Sequence, residues 1–180
     1  MARVPQIVSR DDLPDGSKYI ADQVHAVFGR IRGPFSILLH SPELAERLLP
    51  MVPFNREKSV VEGPLKSIAI LAFVREKDSD YVWSAQVGAA RTNGLREHVI
   101  DVLRAKDGLD SLEPEERDVA NYARQLARTS KVDQATFDTL QKRHGTKWLV
   151  ELTAFAGFYG ALTAVTNAFE VPAPDDGDRF

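Results

Sequence analysis

A chain of 180 residues, 43% of them hydrophobic and 27% charged, has the size and composition of one globular domain rather than two. Its net charge of −3, with the basic residues scattered, argues against a general affinity for nucleic acid. The absence of cysteine excludes disulfides, thiolate catalysis and cysteine-rich zinc sites, and an opening stretch without an apolar run reads as a cytoplasmic start rather than a secretory leader.

Residues 1–16 are polar with two prolines and read as an N-terminal arm. A first helix is expected from Ser17 to Phe28, with Ile20, Val24, Val27 and Phe28 on one face, and "GRIRGPF" breaks it. "HSPELAERLLPMV" starts another, with Ser41 as cap, Pro42 at the first position and Glu43 in the first turn; Pro50 and Pro53 end it. Helical spacing resumes from about Lys58 to Glu76 through Leu65, Ile68, Ala69, Ala72 and Phe73, with Gly63-Pro64 as a restart.

"SDYVWSAQVGAARTNG" then reads as a helix capped by Asp80 and stopped at Gly94. "REHVIDVLRAK" buries Val99, Ile100 and Leu103, and the turn "DGLDSLEPEER" leads into a helix from Pro114 to about Arg128. Asp133 caps a helix that Gly145 stops. The segment from Thr146 to Phe169 is the most apolar and is expected to be central, with Gly157, Gly160, Ala161 and Ala164 as a close-approach face. Glu151, Thr153, Thr163 and Asn167 make it too polar to cross a membrane, and the acidic tail 171–180 is expected to fray. No period-two pattern persists. The reading is all-α, a single domain over 17–170 with about seven or eight helices.

Four blocks, "GPFSILLHSPELAERL", "LKSIAILAFVRE", "SDYVWSAQVGAARTNGL" and "GTKWLVELTAFAGFYGALTAVTNAF", resemble in order the carboxymuconolactone decarboxylases and their AhpD-like alkylhydroperoxidase relatives. The resemblance implies an AhpD-like helical bundle, a trimeric or hexameric homo-oligomer, and no cofactor. It also marks what is missing. The peroxidase branch has a Glu where this chain has Ser67, a Cys-x-x-Cys pair at Ser79 and Val82, and a His at Gln86. Peroxide reduction needs an attacking thiolate and a resolving thiol, so thiol-peroxidase chemistry is excluded. The decarboxylase branch commonly keeps the His, and glutamine cannot shuttle a proton near neutral pH.

What the resemblance leaves is a small carboxylate or lactone from aromatic-compound breakdown as substrate, with decarboxylation, lactone hydrolysis or isomerisation as the reaction. The alternative is a binding or scaffold protein that retains the fold. Of the four histidines, His40 precedes a capped helix inside a matched block and is the candidate acid or base; its other reading is packing against the first turn. His98 and His144 read as residues on charged helix faces, His25 is intermediate beside Val24 on an amphipathic helix, and no pair of histidines has metal-ligand spacing. Gln86 and Ser79 are candidate substrate contacts, with a helix–helix contact as the other reading for Gln86. Arg30 and Arg32 could hold a carboxylate, and Tyr159, Thr163 and Asn167 form a polar stripe that could line a cavity. Trp83 is a further candidate contact or a core aromatic. Neither nucleic acid nor membrane is an expected partner.

Overall fold

A computed structural model describes residues 1–106, 108–175 and 177–180. Asp107, at the start of the expected turn, and Asp176, in the acidic tail, lie outside the described residues. All regular structure among these residues is helical: α1 (Lys18–Phe28), α2 (Pro34–Leu38), α3 (Pro42–Leu48), α4 (Met51–Pro53), α5 (Gly63–Glu76), α6 (Asp80–Thr92), α7 (Glu97–Ala105), α8 (Pro114–Thr129), α9 (Gln134–His144) and α10 (Thr146–Ala168). The helix ends follow local chemistry. Proline opens α2, α3, α5 and α8, where its missing N–H costs nothing. Asp133 accepts the Thr136 N–H at 2.9 Å to start α9. Gly145, at φ 86°, ends α9 and begins α10.

α5 is the hub. Ten consecutive residues from Leu65 to Val74 are buried, and the helix packs against α6, α7, α8 and α10. A helix enclosed on every side cannot show an apolar stripe, so its sequence reads as a run rather than a pattern. The buried Glu76 carboxylate joins its end to α8 through Arg128 at 2.8 Å and Arg124 at 3.6 Å. α10, expected at the centre, instead flanks α5. Its Trp148, Leu152, Phe155 and Tyr159 point inward, while Val150, Ala154, Gly157, Ala161 and Ala164 are exposed. Gly160 permits the close α5–α10 approach, since a Cβ there would lie 2.7 Å from the Phe73 ring. By length and by a mean hydropathy of 1.4, α10 does qualify as long and apolar enough to cross a membrane, contrary to the sequence expectation. Half of that stretch is buried within the bundle.

Three local readings are corrected. The segment before Gly63 is not the start of α5: Phe54–Lys58 forms a π-helical turn, closed by the Ser59 N–H on the Phe54 carbonyl at 3.1 Å, and the chain then extends. Ser79, not Asp80, is the N-cap of α6, and its hydroxyl pairs with Thr166 Oγ1 at 3.1 Å instead of capping. The tail is docked rather than frayed. Asp178 accepts from Arg91 at 2.5 Å and from Arg104 at 3.3 Å, and the Phe180 ring lies 4.0 Å from the Arg75 guanidinium. The N-terminal arm is likewise pinned, by the Arg3 N–H on the Phe169 carbonyl and the Ile7 N–H on the Ser36 carbonyl, each 2.9 Å.

Candidate functional site

The helices enclose a cavity of about 480 Å³ between the α1–α2 connection, the π-helical turn, α5, α6 and α10. Each element supplies residues for a reason visible in its geometry. Consecutive positions on the buried hub bring Lys66 and Ser67 to the wall, with Ile70 one turn on. Val82 and Gln86 share a face of α6 at i and i+4, and Tyr81 adds its ring. The widened π-helical turn presents Asn55 and Arg56, α10 contributes Tyr159, and Arg32 stands before α2.

The wall is cationic. Arg32, Arg56 and Lys66 line it, and among the described residues no Asp or Glu does. Arg56 is braced by the Val27 carbonyl at 3.1 Å and lies 5.3 Å from the Phe28 ring centre. Arg32 has no hydrogen bond or ion pair among the described residues. Lys66 is only 7% exposed; its ammonium donates to the Asn55 backbone carbonyl and lies 5.8 Å from the Phe155 ring centre. The two carboxylates that bear on it are engaged elsewhere: Glu62 accepts the Trp148 indole N–H at 2.7 Å and Glu151 accepts the Val60 N–H at 2.9 Å.

Burial pushes the Lys66 ammonium below the usual lysine range, and the attraction of Glu151 and Glu62 only partly offsets it. The sign for stability follows from proton counting. Between the lowered folded pKa and the higher unfolded one, the unfolded chain binds more protons, so stability rises with pH across that window. Lys66→Met is expected to abolish this rise, leaving a flatter dependence of the urea midpoint on pH above neutrality. An unchanged slope would show that Lys66 titrates as an ordinary surface lysine.

The remaining polar groups are neutral. Asn55 is 5% exposed; its Nδ2 donates to the Tyr159 hydroxyl at 3.5 Å, and its Oδ1 is buried with no donor among the described residues. Burial raises the Tyr159 phenol, with Arg56, Asn55 and Gln86 pulling the other way. Burial likewise raises Tyr81, offset by Arg32 and Arg30. Ser67 Oγ accepts from Asn93 Nδ2 at 3.0 Å, tying the hub to the end of α6. The cavity can therefore hold an anion, orient it with phenol and amide groups, and offer one primary amine.

The sequence-derived candidates divide. Gln86, Arg32 and Tyr159 are on the wall, as are Ser67 and Val82 at the other replaced positions. His40 is not. Its Nε2 is 2.8 Å from the Pro5 carbonyl oxygen in a separate open cleft beneath the N-terminal arm, so the exposed ring is held by the arm, which neither reading from the sequence foresaw. Ser79 is fully buried against Thr166, Trp83 fills the core, Arg30 stays outside the cavity, and Asn167 donates to the Lys77 carbonyl at 3.0 Å. Lys66, Asn55 and Arg56 were not singled out by the sequence. The available signal was a lysine embedded in the apolar run "PLKSIAILAF", a costly placement unless the amine is used.

No family model matches the chain, and no curated protein does. Among solved structures it is similar to an alkylhydroperoxidase AhpD core, an uncharacterised peroxidase-related protein of Ralstonia eutropha JMP134, at 18% identity and TM-score 0.79 over 97% of this chain and 93% of that one. It is similar to the debrominase Bmp8, in a complex with 2,3,4-tribromopyrrole, at 17% identity and TM-score 0.76 over 97% and 95% of the two chains. ATU0492 of Agrobacterium tumefaciens, a protein of unknown function associated with AhpD and antioxidant defence, aligns at 14% identity and TM-score 0.67 over 81% of this chain and all of that one. The chain has the AhpD-like helical fold, carried without any cysteine.

Proposed function

We propose that the chain is a cofactor-independent enzyme that takes a small carboxylate or lactone into the α5–α6–α10 cavity and decarboxylates, hydrolyses or isomerises it. One observation carries this reading: three cationic side chains, Arg32, Arg56 and Lys66, line a cavity to whose wall no carboxylate among the described residues belongs. Such a wall attracts an anion and has no internal counter-charge to expel it. Gln86 and Tyr159 would orient the bound acid, and the sequence candidate His40 has no part, because it faces the other cleft. Exposed small residues on α6 (Ala85, Gly88, Ala89) and on α10 support assembly with further copies of the chain. A binding protein without turnover is the second reading, favoured by the neutral Ser67, Val82 and Gln86.

The test is a panel of ring-fission acids, lactones and analogues, followed by proton NMR, mass spectrometry and melting temperature. Conversion supports the enzyme; stabilisation without conversion supports the binding protein; silence in all three readouts removes both. Arg32→Ala isolates the anion term. With no partner to lose, the variant is expected to melt as the parent does, while carboxylate affinity falls about tenfold, the worth of one charge-assisted hydrogen bond. Equal affinity by calorimetry would take Arg32 out of the site.

A further inference from the structure

We propose that Lys66 is a catalytic amine that forms a Schiff base with a carbonyl-bearing acid, and that the substrate class is a 3-oxo acid. The proposal rests on the reading of the cavity as an anion site and names the chemistry within it. Three observations point to the amine. Lys66 is enclosed, at 7% exposure, yet sits on the wall of the α5–α6–α10 cavity rather than snorkelling to the surface. Among the described residues it makes no ion pair, and the Glu62 and Glu151 carboxylates that attract it from farther off are bonded to Trp148 and to the Val60 amide. Its hydrogen-bond anchor among the described residues is a neutral backbone carbonyl, that of Asn55, which carries no full negative charge to hold the nitrogen as an ammonium in the way a carboxylate would. Desolvation is a setting in which a lysine becomes nucleophilic at neutral pH.

The balance of the step is straightforward. The neutral Lys66 nitrogen attacks the substrate carbonyl carbon to give a carbinolamine, whose hydroxyl Asn55 Oδ1, buried and without a donor, can accept. Water leaves and a C=N bond forms. The protonated imine nitrogen takes up the electron pair of the breaking C–COO⁻ bond, carbon dioxide departs, and the resulting enamine is protonated on carbon by solvent. Water then hydrolyses the imine, releasing a ketone and restoring the amine. The net change is oxo-acid anion plus a proton to ketone plus carbon dioxide, with no oxidant or reductant. The acid–base histidine of the decarboxylases is not needed, because the imine itself stores the electrons, which accounts for a glutamine at position 86.

The experiment is reductive trapping on the full-length protein. It is incubated with acetoacetate and with longer 3-oxo acids, treated with borohydride, and examined by intact mass and peptide mapping. The expected result is a single adduct on Lys66, equal in mass to the ketone less its oxygen. The 3-hydroxy analogues, which lack the carbonyl, bind without trapping. Lys66→Arg, which keeps the cation, is expected to lose both adduct and carbon dioxide release; should that variant fail to fold, peptide mapping of the parent still decides. Absence of an adduct, or adducts scattered over exposed lysines, overturns the proposal. If the oxo acids still raise the melting temperature, the anion cavity stands and only the amine chemistry falls; if they do not, both fall.

Discussion

Trp83→Ala is expected to cost about 3–5 kcal/mol and to bring the protein close to losing its fold, against a total stability of about 5–15 kcal/mol. Trp83 is fully buried on α6, meets the Phe180 ring edge-on at 5.9 Å, and lies under the Arg104 guanidinium at the same distance. Removing the indole opens a void that α6 cannot close without leaving α5. Trp83→Phe tells a different story. The indole N–H is buried with no acceptor among the described residues, and shedding an orphaned donor returns about 1–3 kcal/mol, which offsets most of the lost packing. Urea unfolding should therefore place Trp83→Phe within about 1.5 kcal/mol of the parent. Because Trp83 faces the core and not the cavity, carboxylate affinity should be unchanged in the phenylalanine variant. A weakened affinity at parental stability would put the indole at the ligand after all.

Gly33→Ala is the second large effect. Gly33 has φ 61° and ψ −138°, a conformation that essentially only glycine adopts, and a Cβ there would overlap the Tyr81 ring. Pro34 follows and restricts the backbone further, so the residue cannot rotate away. Strain of about 1–3 kcal/mol and overpacking of similar size add to roughly 3 kcal/mol or more. The loss should also reach function, since Tyr81 is displaced into the cavity it lines. The expected outcome is a lowered melting temperature together with weaker ligand binding. A variant that melts normally would mean that α2 re-registers to accept the methyl group.

The fold was legible where the sequence carries punctuation and periodicity. Pro42, Pro114, Asp133 and Gly145 mark helix ends that the structure reproduces, because each acts through its own backbone geometry. α2 was missed: four of its five residues, Phe35 to Leu38, are buried, so they present no alternation to read. The hub was misplaced for the same reason. A helix enclosed on all sides looks like any apolar run, and the longer run of α10 drew the assignment of centre. At the site, the resemblance marked positions 67, 79, 82 and 86 through what they lack; Ser67, Val82 and Gln86 lie on the wall, whereas Ser79 is buried against Thr166. Lys66, Asn55 and Arg56 escaped because their convergence depends on the π-helical turn, which no local spacing announces, and on long-range packing of that turn against α5. His40 was drawn in by its place in a matched block, whereas its side chain is set by the N-terminal arm through Pro5, far away in sequence.

The enclosure of α5 has a consequence for how such a protein can change over generations. Lys66 and Ser67 stand on a helix whose position is fixed by the buried apolar residues around them, Leu65 and Ile68 to Val74, and by the Glu76 tie to α8. The frame is thus insured separately from the groups it displays. A lineage can exchange a carboxylate for a serine, or a histidine for a glutamine, and still inherit a folded molecule with the opening intact. One reaction can lapse and another take its place by single substitutions, with every intermediate sequence remaining a protein that selection can act upon.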